Sequence, residues 1–149
     1  MEFKVSLINP PLVYRAGDAY GNIPFMPTGL LYLAGYLEAN KVDVSIIDGF
    51  GLLPRQCYRI DSTLIGNGLK EEEIIERLNG EKLIGISVHS GMSHSIALRL
   101  GQMIKQRYPS SILIAGGSQA SVTYKEFLEG GFDYVIIGEG ESSLLALVR

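Results

Sequence analysis

One cysteine, Cys57, stands in a chain of 149 residues, and there is no tryptophan. A lone cysteine closes no intramolecular disulfide, and it supplies too few thiolates for a cysteine-bound zinc or iron–sulfur centre. Basic residues are few: thirteen Lys and Arg face sixteen Asp and Glu, and no basic run occurs. Nothing here provides the electrostatic footprint of a nucleic-acid binder. No apolar run approaches the roughly 18 to 20 residues of a membrane span. Met1-Glu2-Phe3-Lys4 leads straight into a strand pattern, without a charged leader and cleavage site. These absences point to a soluble, cytoplasmic protein with no nucleic-acid and no membrane partner.

What is present is a core. Apolar residues make up 46% of the chain, enough for one domain of ordinary size. Short apolar runs alternate with helix-period stretches. Phe3 to Ile8 reads as a strand, and Asn9-Pro10-Pro11 stops it, because proline cannot donate to a ladder. Leu30, Leu33, Ala34 and Leu37 line one helix face from Thr28 to Asn40. Val42 to Ile47 is a second strand. Lys70 to Asn79 is a second helix, with Glu71, Glu72 and Glu73 at its positive end. Leu83 to Val88, a helix from Ser93 to Tyr108, and Ile112 to Ala115 follow. Thr123-x-x-Glu126 reads as the capping box of a fourth helix. Tyr134 to Ile137 and Glu141 to Val148 complete five βα units. The later strands are continuous apolar runs, the pattern of strands covered on both faces. The expected fold is α/β: a flavodoxin-like (Rossmann-like), doubly wound, five-stranded parallel sheet of order 2-1-3-4-5. Gly49 to Gly68 is an insertion between strand two and helix two, and Gln56 to Ile60 with Thr63 to Ile65 is a possible hairpin turning at Asp61-Ser62.

In such a sheet the ligand site lies at the carboxyl ends of the strands. The loop after the first strand lacks the Gly-x-Gly-x-x-Gly of a dinucleotide site, and no Gly-Lys-Ser/Thr phosphate loop occurs. The phosphate loop of flavodoxins and the acidic pocket of response regulators are also missing there. What remains are small residues: Ser87 and Ser90 after the third strand, and Gly116-Gly117-Ser118 after the fourth, where a ligand could lie against backbone. Gly138-Glu139-Gly140-Glu141 opens the last helix, and its glutamates complement the helix dipole. His89 ends a strand and aims at the site, whereas His94 reads as a surface residue. No nucleophile–base pair and no third metal ligand accompany them, so neither a catalytic residue nor a protein metal site is expected.

Read together and in order, KVSLINPP, MPTGLLYLAGYLEANKVDVSIID, LIGISVHSGMSHSIALRLGQMIKQRYP, ILIAGGSQAS and DYVIIGEGESSLLAL resemble the N-terminal cobalamin-binding domain of class B radical SAM enzymes. That family includes methyltransferases and ring-forming enzymes. The resemblance implies that residues 1–149 are one cobalamin-binding domain, the N-terminal part of a longer enzyme. It implies a C-terminal radical SAM domain as partner, carrying the [4Fe–4S] cluster and S-adenosylmethionine, and a small-molecule substrate. The implied reaction is methyl transfer to an unreactive carbon. A degenerate scaffold, or a flavodoxin-like module for another small ligand, are the competing readings. The resemblance maps cofactor contacts onto Asn9, Pro10 and Pro11; onto Ser87, Val88, His89 and Ser90; onto Gly116, Gly117 and Ser118; and onto Gly138, Glu139, Gly140 and Glu141. Valine at Gly117 is expected to project into the channel for the nucleotide tail. Asn9 to Gly17 holds no histidine, unlike the Asp-x-His-x-x-Gly of the wider superfamily. Cobalamin is therefore expected base-off, with no histidine on cobalt.

Overall fold

The computed structural model describes residues 3–21 and 23–149; Met1 and Glu2, which open the first strand pattern, lie outside the described residues. In chain order the elements are β1 (Lys4–Asn9), β2 (Leu12–Arg15), α1 (Thr28–Ala39), β3 (Asp43–Asp48), β4 (Cys57–Arg59), β5 (Leu64–Asn67) and α2 (Glu71–Ile75). They continue with β6 (Leu83–Ser87), a 3₁₀ turn (Gly91–Ser93), α3 (His94–Arg107), β7 (Ile112–Gly116), α4 (Ser118–Val122), α5 (Tyr124–Glu129), β8 (Tyr134–Val135) and α6 (Glu141–Val148). The main sheet is parallel and ordered β3-β1-β6-β7-β8. Counted among its own five strands this is 2-1-3-4-5, the expected flavodoxin-like order. Strand order reverses between β1 and β6, so the crevice of the fold opens beyond Asn9 and Ser87.

Period-two alternation sorts the strand residues onto two faces. Val5, Leu7, Leu83 and Ile114 pack beneath α1 and α6 with Leu30, Leu37 and Leu144. Ile8, Ile84, Ile86, Val88 and Leu113 pack on the other face with Leu100, Ile104 and Phe127. Leu37 is 1% exposed, and its truncation to alanine would cost about 2–5 kcal/mol.

The insertion forms the expected hairpin, and more. β4 and β5 pair antiparallel, and β5 also pairs with β2, making a second, three-stranded sheet. Asp61 holds the turn: its Oδ1 accepts from the Thr63 and Leu64 backbone N–H groups and from the Thr63 hydroxyl, at 2.7–2.9 Å. Hydrogen bonding to the ionised form keeps this carboxyl below its ordinary range.

Three local readings are corrected. α2 is only five residues long; beyond Ile75 the chain tightens into i→i+3 bonds at Arg77 and Leu78. Glu71, Glu72 and Glu73 occupy the first turn of α2 as expected, and Glu71 is in addition buried and bound by the Arg99 guanidinium, at 2.7 Å from Nε. Thr123 is the N-cap residue of α5 as expected, but its side chain makes no cap bond: the hydroxyl donates to the Gln119 carbonyl of α4, the preceding helix. β8 pairs over two residues, followed by one further bond from Ile136 N–H to the Ala115 carbonyl.

Candidate functional site

Two cavities meet at the switch point. The first, of about 240 Å³, is bounded in part by β2 of the second sheet. Asn9, Pro10 and Pro11 form one wall, Ser87, His89 and Ser90 another, and Leu12, Val13 and Phe50 the roof. The second, of about 190 Å³, lies between the main sheet and helices α1 and α6. Its floor follows from the alternation described above. Leu83, Gly85 and Ser87 are the β6 residues on the α1/α6 face, and Ile112, Ile114 and Gly116 are those of β7. Ser87 pairs with Gly116 across the ladder. Small residues at 87 and 116 leave unfilled the space that bulky side chains would occupy, whereas a Cβ on Gly85 would lie 3.0 Å from Leu7 Cδ2, which already fills the place beside it. A Cβ built on Gly116 meets nothing within 4 Å, and the same holds for Gly138 on the opposite rim. Glu139, Gly140 and Glu141 complete that rim at the start of α6.

Ser87 and His89 line both cavities. The Ser87 Oγ lies 2.7 Å from His89 Nε2, so this nitrogen is engaged. Of the residues expected at the site, two stand apart. Val88 is fully buried on the far face of the sheet. Ser118 is exposed outside both cavities, and its hydroxyl donates to the His89 carbonyl at 3.1 Å. Gly117 touches the second cavity but carries a backbone role. Its φ is +103°, and an added Cβ would sit 2.5 Å from the Val88 carbonyl oxygen. The expectation that valine at 117 projects into the channel is therefore corrected: that side chain would strike backbone, and Gly116 is the position that opens into the cavity.

His94 is not a surface residue. Its side chain is 15% exposed, its ring lies 4.8 Å from that of Phe127, and Nε2 is 2.8 Å from Glu126 Oε2 without hydrogen-bond alignment. It joins α3 to α5 away from both cavities.

The roof is fastened where three backbone segments cross. Gly49 N–H donates to the Asn9 carbonyl at 2.7 Å, and Leu69 N–H donates to the Gly49 carbonyl at 2.6 Å. A Cβ at Gly49 would lie 2.5 Å from Asn9 O, and one at Gly68 would collide with Gly49 O. Only glycine permits this approach. Asn9 Nδ2 donates to Asp48 Oδ1 at 2.9 Å, fixing the loop to β3. Behind the roof, Gln56 Nε2 and Lys70 N–H donate to Glu73, which holds its carboxyl below the ordinary range. Tyr58 O–H donates to the Leu69 carbonyl; burial first, and the charges of Glu71 and Glu73 next, push its phenol well above the usual value. These groups anchor the roof and stand outside both cavities.

Gly85, Gly29, Leu33 and Phe50 are cavity residues that the loop-by-loop reading passed over. Gly85 had a signal: a glycine within an apolar strand marks a close approach. Phe50 and Gly29 carried none. Among the described residues no group of three or more His, Cys, Asp or Glu could hold a metal ion, and no helix is long and apolar enough to cross a membrane.

Residues 22–148 match the model of the B12 binding domain. The anaerobic magnesium-protoporphyrin IX monomethyl ester cyclase of Synechocystis sp. is 28% identical over 154 residues, covering 97% of this chain. The chain spans only 27% of that relative's length. Among solved structures, the BeF3-activated receiver domain of DrrB superposes with a TM-score of 0.59 at 14% identity, over 99% of this chain and 95% of that one. The N-terminal domain of Thermotoga maritima TM0182 gives 0.51 at 22% identity, over 80% of each. These two likenesses are of fold alone.

Proposed function

We propose that this chain, which belongs to the B12-binding domain family, binds cobalamin for a longer radical SAM enzyme, with residues 1–149 as its cobalamin-binding unit. The observation that carries the reading is the pair of small residues Ser87 and Gly116 on the floor, beside which a slot lies open under α1 and α6 for the nucleotide tail. The corrin belongs over the strand ends, against Asn9-Pro10-Pro11 and beneath the roof residues Leu12 and Phe50. This chain's residues bind and orient the cofactor and exclude water from its lower side. Bound cobalt supplies the chemistry, which we assign to methyl transfer to an unreactive carbon of a small-molecule substrate. Ring formation is the second reading, favoured by the activity in the Synechocystis relative's name.

The proposed partner is a C-terminal radical SAM domain with its [4Fe–4S] cluster and S-adenosylmethionine, in the cytoplasm. Two observations support a partner. The relative is much longer than this chain. Helix α1 has no charged residue from Thr28 to Leu37, yet only one face is covered: Leu31 is 46% exposed and Tyr32 75%. A helix apolar all round ordinarily lies buried on every side.

Titration with hydroxocobalamin, followed by the corrin absorption spectrum, tests the reading. Saturable binding is expected; none would leave a scaffold or a site for another small ligand. The cofactor is proposed base-off with no imidazole on cobalt, since Asn9 to Gly17 lacks histidine and His89 Nε2 is engaged by Ser87. Electron paramagnetic resonance of the Co(II) form should show no superhyperfine splitting from an axial nitrogen. Splitting that vanishes in His89→Ala would make His89 the ligand.

A further inference from the structure

Asparagine followed by glycine occurs twice in the chain, at Asn67-Gly68 and at Asn79-Gly80. Glycine has no Cβ to hold its backbone nitrogen away from the preceding side chain, so both pairs have the sequence for the same intramolecular reaction. The fold treats them differently. Asn67 and Gly68 are buried at the roof. Asn67 Nδ2 donates to the Pro54 and Gln56 carbonyls, each at 2.9 Å, and the Gly68 N–H donates to the Gln56 carbonyl at 2.9 Å. Asn79 and Gly80 are exposed, in the turn between α2 and β6. Asn79 Nδ2 has a 3.5 Å approach to the Arg77 carbonyl, and among the described residues no hydrogen bond engages the Gly80 N–H. The backbone on either side is nevertheless pinned. Asn79 N–H donates to Oε2 of the buried Glu81 at 3.0 Å, Tyr108 O–H to the Leu78 carbonyl at 2.8 Å, and the Ser111 hydroxyl to the Glu81 carbonyl at 2.6 Å.

We infer that Asn79-Gly80 is a self-modification site, which converts to aspartate and isoaspartate in the folded protein and so loosens the turn that starts β6. The reaction consumes only water. The Gly80 nitrogen attacks Asn79 Cγ; the N–Cγ bond forms, the Cγ–Nδ2 bond breaks, and ammonia leaves with the proton given up by Gly80. Water then opens the cyclic imide. Attack at Cγ yields aspartate, and attack at the main-chain carbonyl yields isoaspartate, whose backbone runs through Cβ and Cγ and is one carbon longer. Either product sets a carboxylate beside Glu81, which is 4% exposed. Isoaspartate must also fit its extra carbon between the Asn79 N–H and the Glu81 carbonyl, both of them tied down, so one of these bonds has to give. The site lies at the opposite end of β6 from Ser87 and the two cavities, and the inference stands apart from the cofactor reading.

The test ages the 149-residue protein in mildly alkaline buffer and maps it with trypsin, which releases the two pairs in separate peptides, 60–70 and 78–82. In folded protein the 78–82 peptide should convert to the acid form at least about tenfold faster than 60–70, because Asn67 reacts only after its buried bonds open. Isoaspartyl methyltransferase should label the converted peptide. In urea the two peptides should convert at similar rates. Asn79→Gln, whose side chain is one methylene longer and closes a less favourable ring, should leave peptide 78–82 unchanged. Aged protein, separated on an anion exchanger by its added negative charge, should melt a few degrees below the parent, and Asn79→Gln protein aged alike should not. Equal conversion of the two peptides in folded protein, or conversion of 60–70 first, would overturn the inference. A 78–82 peptide that converts in urea but stays intact in folded protein would overturn it too. Converted protein that melts like the parent would refute the loosening of the turn.

Discussion

Valine at position 116 separates the slot from the fold that contains it. Gly116 ends β7 on the α1/α6 face, and a Cβ there meets nothing within 4 Å. Its backbone bonds survive the substitution, including the one from Val88 N–H to the Gly116 carbonyl at 2.7 Å. A β-branched residue is also at home in a strand. The free protein should therefore melt within about 3 °C of the parent, the shift expected from less than roughly 1 kcal/mol in a chain of this size. Binding is another matter. Three added carbons, each taking about the 30 Å³ share of a liquid water, fill nearly half of a cavity of about 190 Å³. An overpacking cost of about 1–3 kcal/mol converts to roughly 5- to 150-fold weaker hydroxocobalamin binding. Absorbance titration reads the affinity, and circular dichroism melting reads the fold. Gly117→Ala is the contrast: at φ +103°, with its Cβ 2.5 Å from Val88 O, it should lower the melting temperature by several degrees. Unchanged affinity in a folded Gly116→Val protein would refute the assignment of the slot to the ligand's tail.

Three further outcomes are expected. Arg99→Leu strands the Glu71 carboxylate, whose side chain is 8% exposed; urea unfolding should show a loss of roughly 1–3 kcal/mol, less than for a wholly buried pair because Arg99 is half exposed. Asp61 and Glu73 have depressed pKa values in the folded chain, so their contribution is present above the ordinary carboxylate pKa and lost as pH falls through the folded one. Below about pH 4, amide exchange at Thr63, Leu64 and Lys70 should accelerate before that of β1 and β6; uniform exchange would contradict this. The 149-residue chain alone should release no 5′-deoxyadenosine from S-adenosylmethionine after anaerobic reconstitution, because one cysteine cannot ligate the cluster; turnover would sink that expectation.

The sheet was legible because its strands are apolar runs that must be covered on both faces, and helices α1 and α3 because their stripes recur at helical spacing. The hairpin was legible from Asp61, a residue that makes its own turn. The pairing of β2 with β5 was not. Leu12 to Arg15 follows two prolines and lies 50 residues from its partner, and nothing local in Val13 or Tyr14 names Gly66 or Ile65 as neighbours. The burial of Glu71 was hidden for the same reason: Arg99, 28 residues on, decides it. At the site, glycine identity was readable, but the direction in which each would project was not. That is a matter of strand parity and φ, which separates Gly116 from its neighbour Gly117.

The crossing of the Asn9 loop, Gly49 and Leu69 also bears on how this module can be rebuilt. A chimaera that imports residues 9–21 from a relative inherits a strand whose ladder partner lies at 64–67. Left unmatched, that strand would offer four residues of bare edge, an invitation to pair with another molecule. The transplantable piece is therefore discontinuous: the loop after β1 and the whole of 49–69 must travel as one cassette, glycines included. Designers who wish to alter what the first cavity admits have a simpler handle in Leu12, which lines it outside the crossing's close backbone contacts; Phe50 lines it too, but its Cα is part of the crossing, 2.8 Å from where a Cβ on Gly68 would sit.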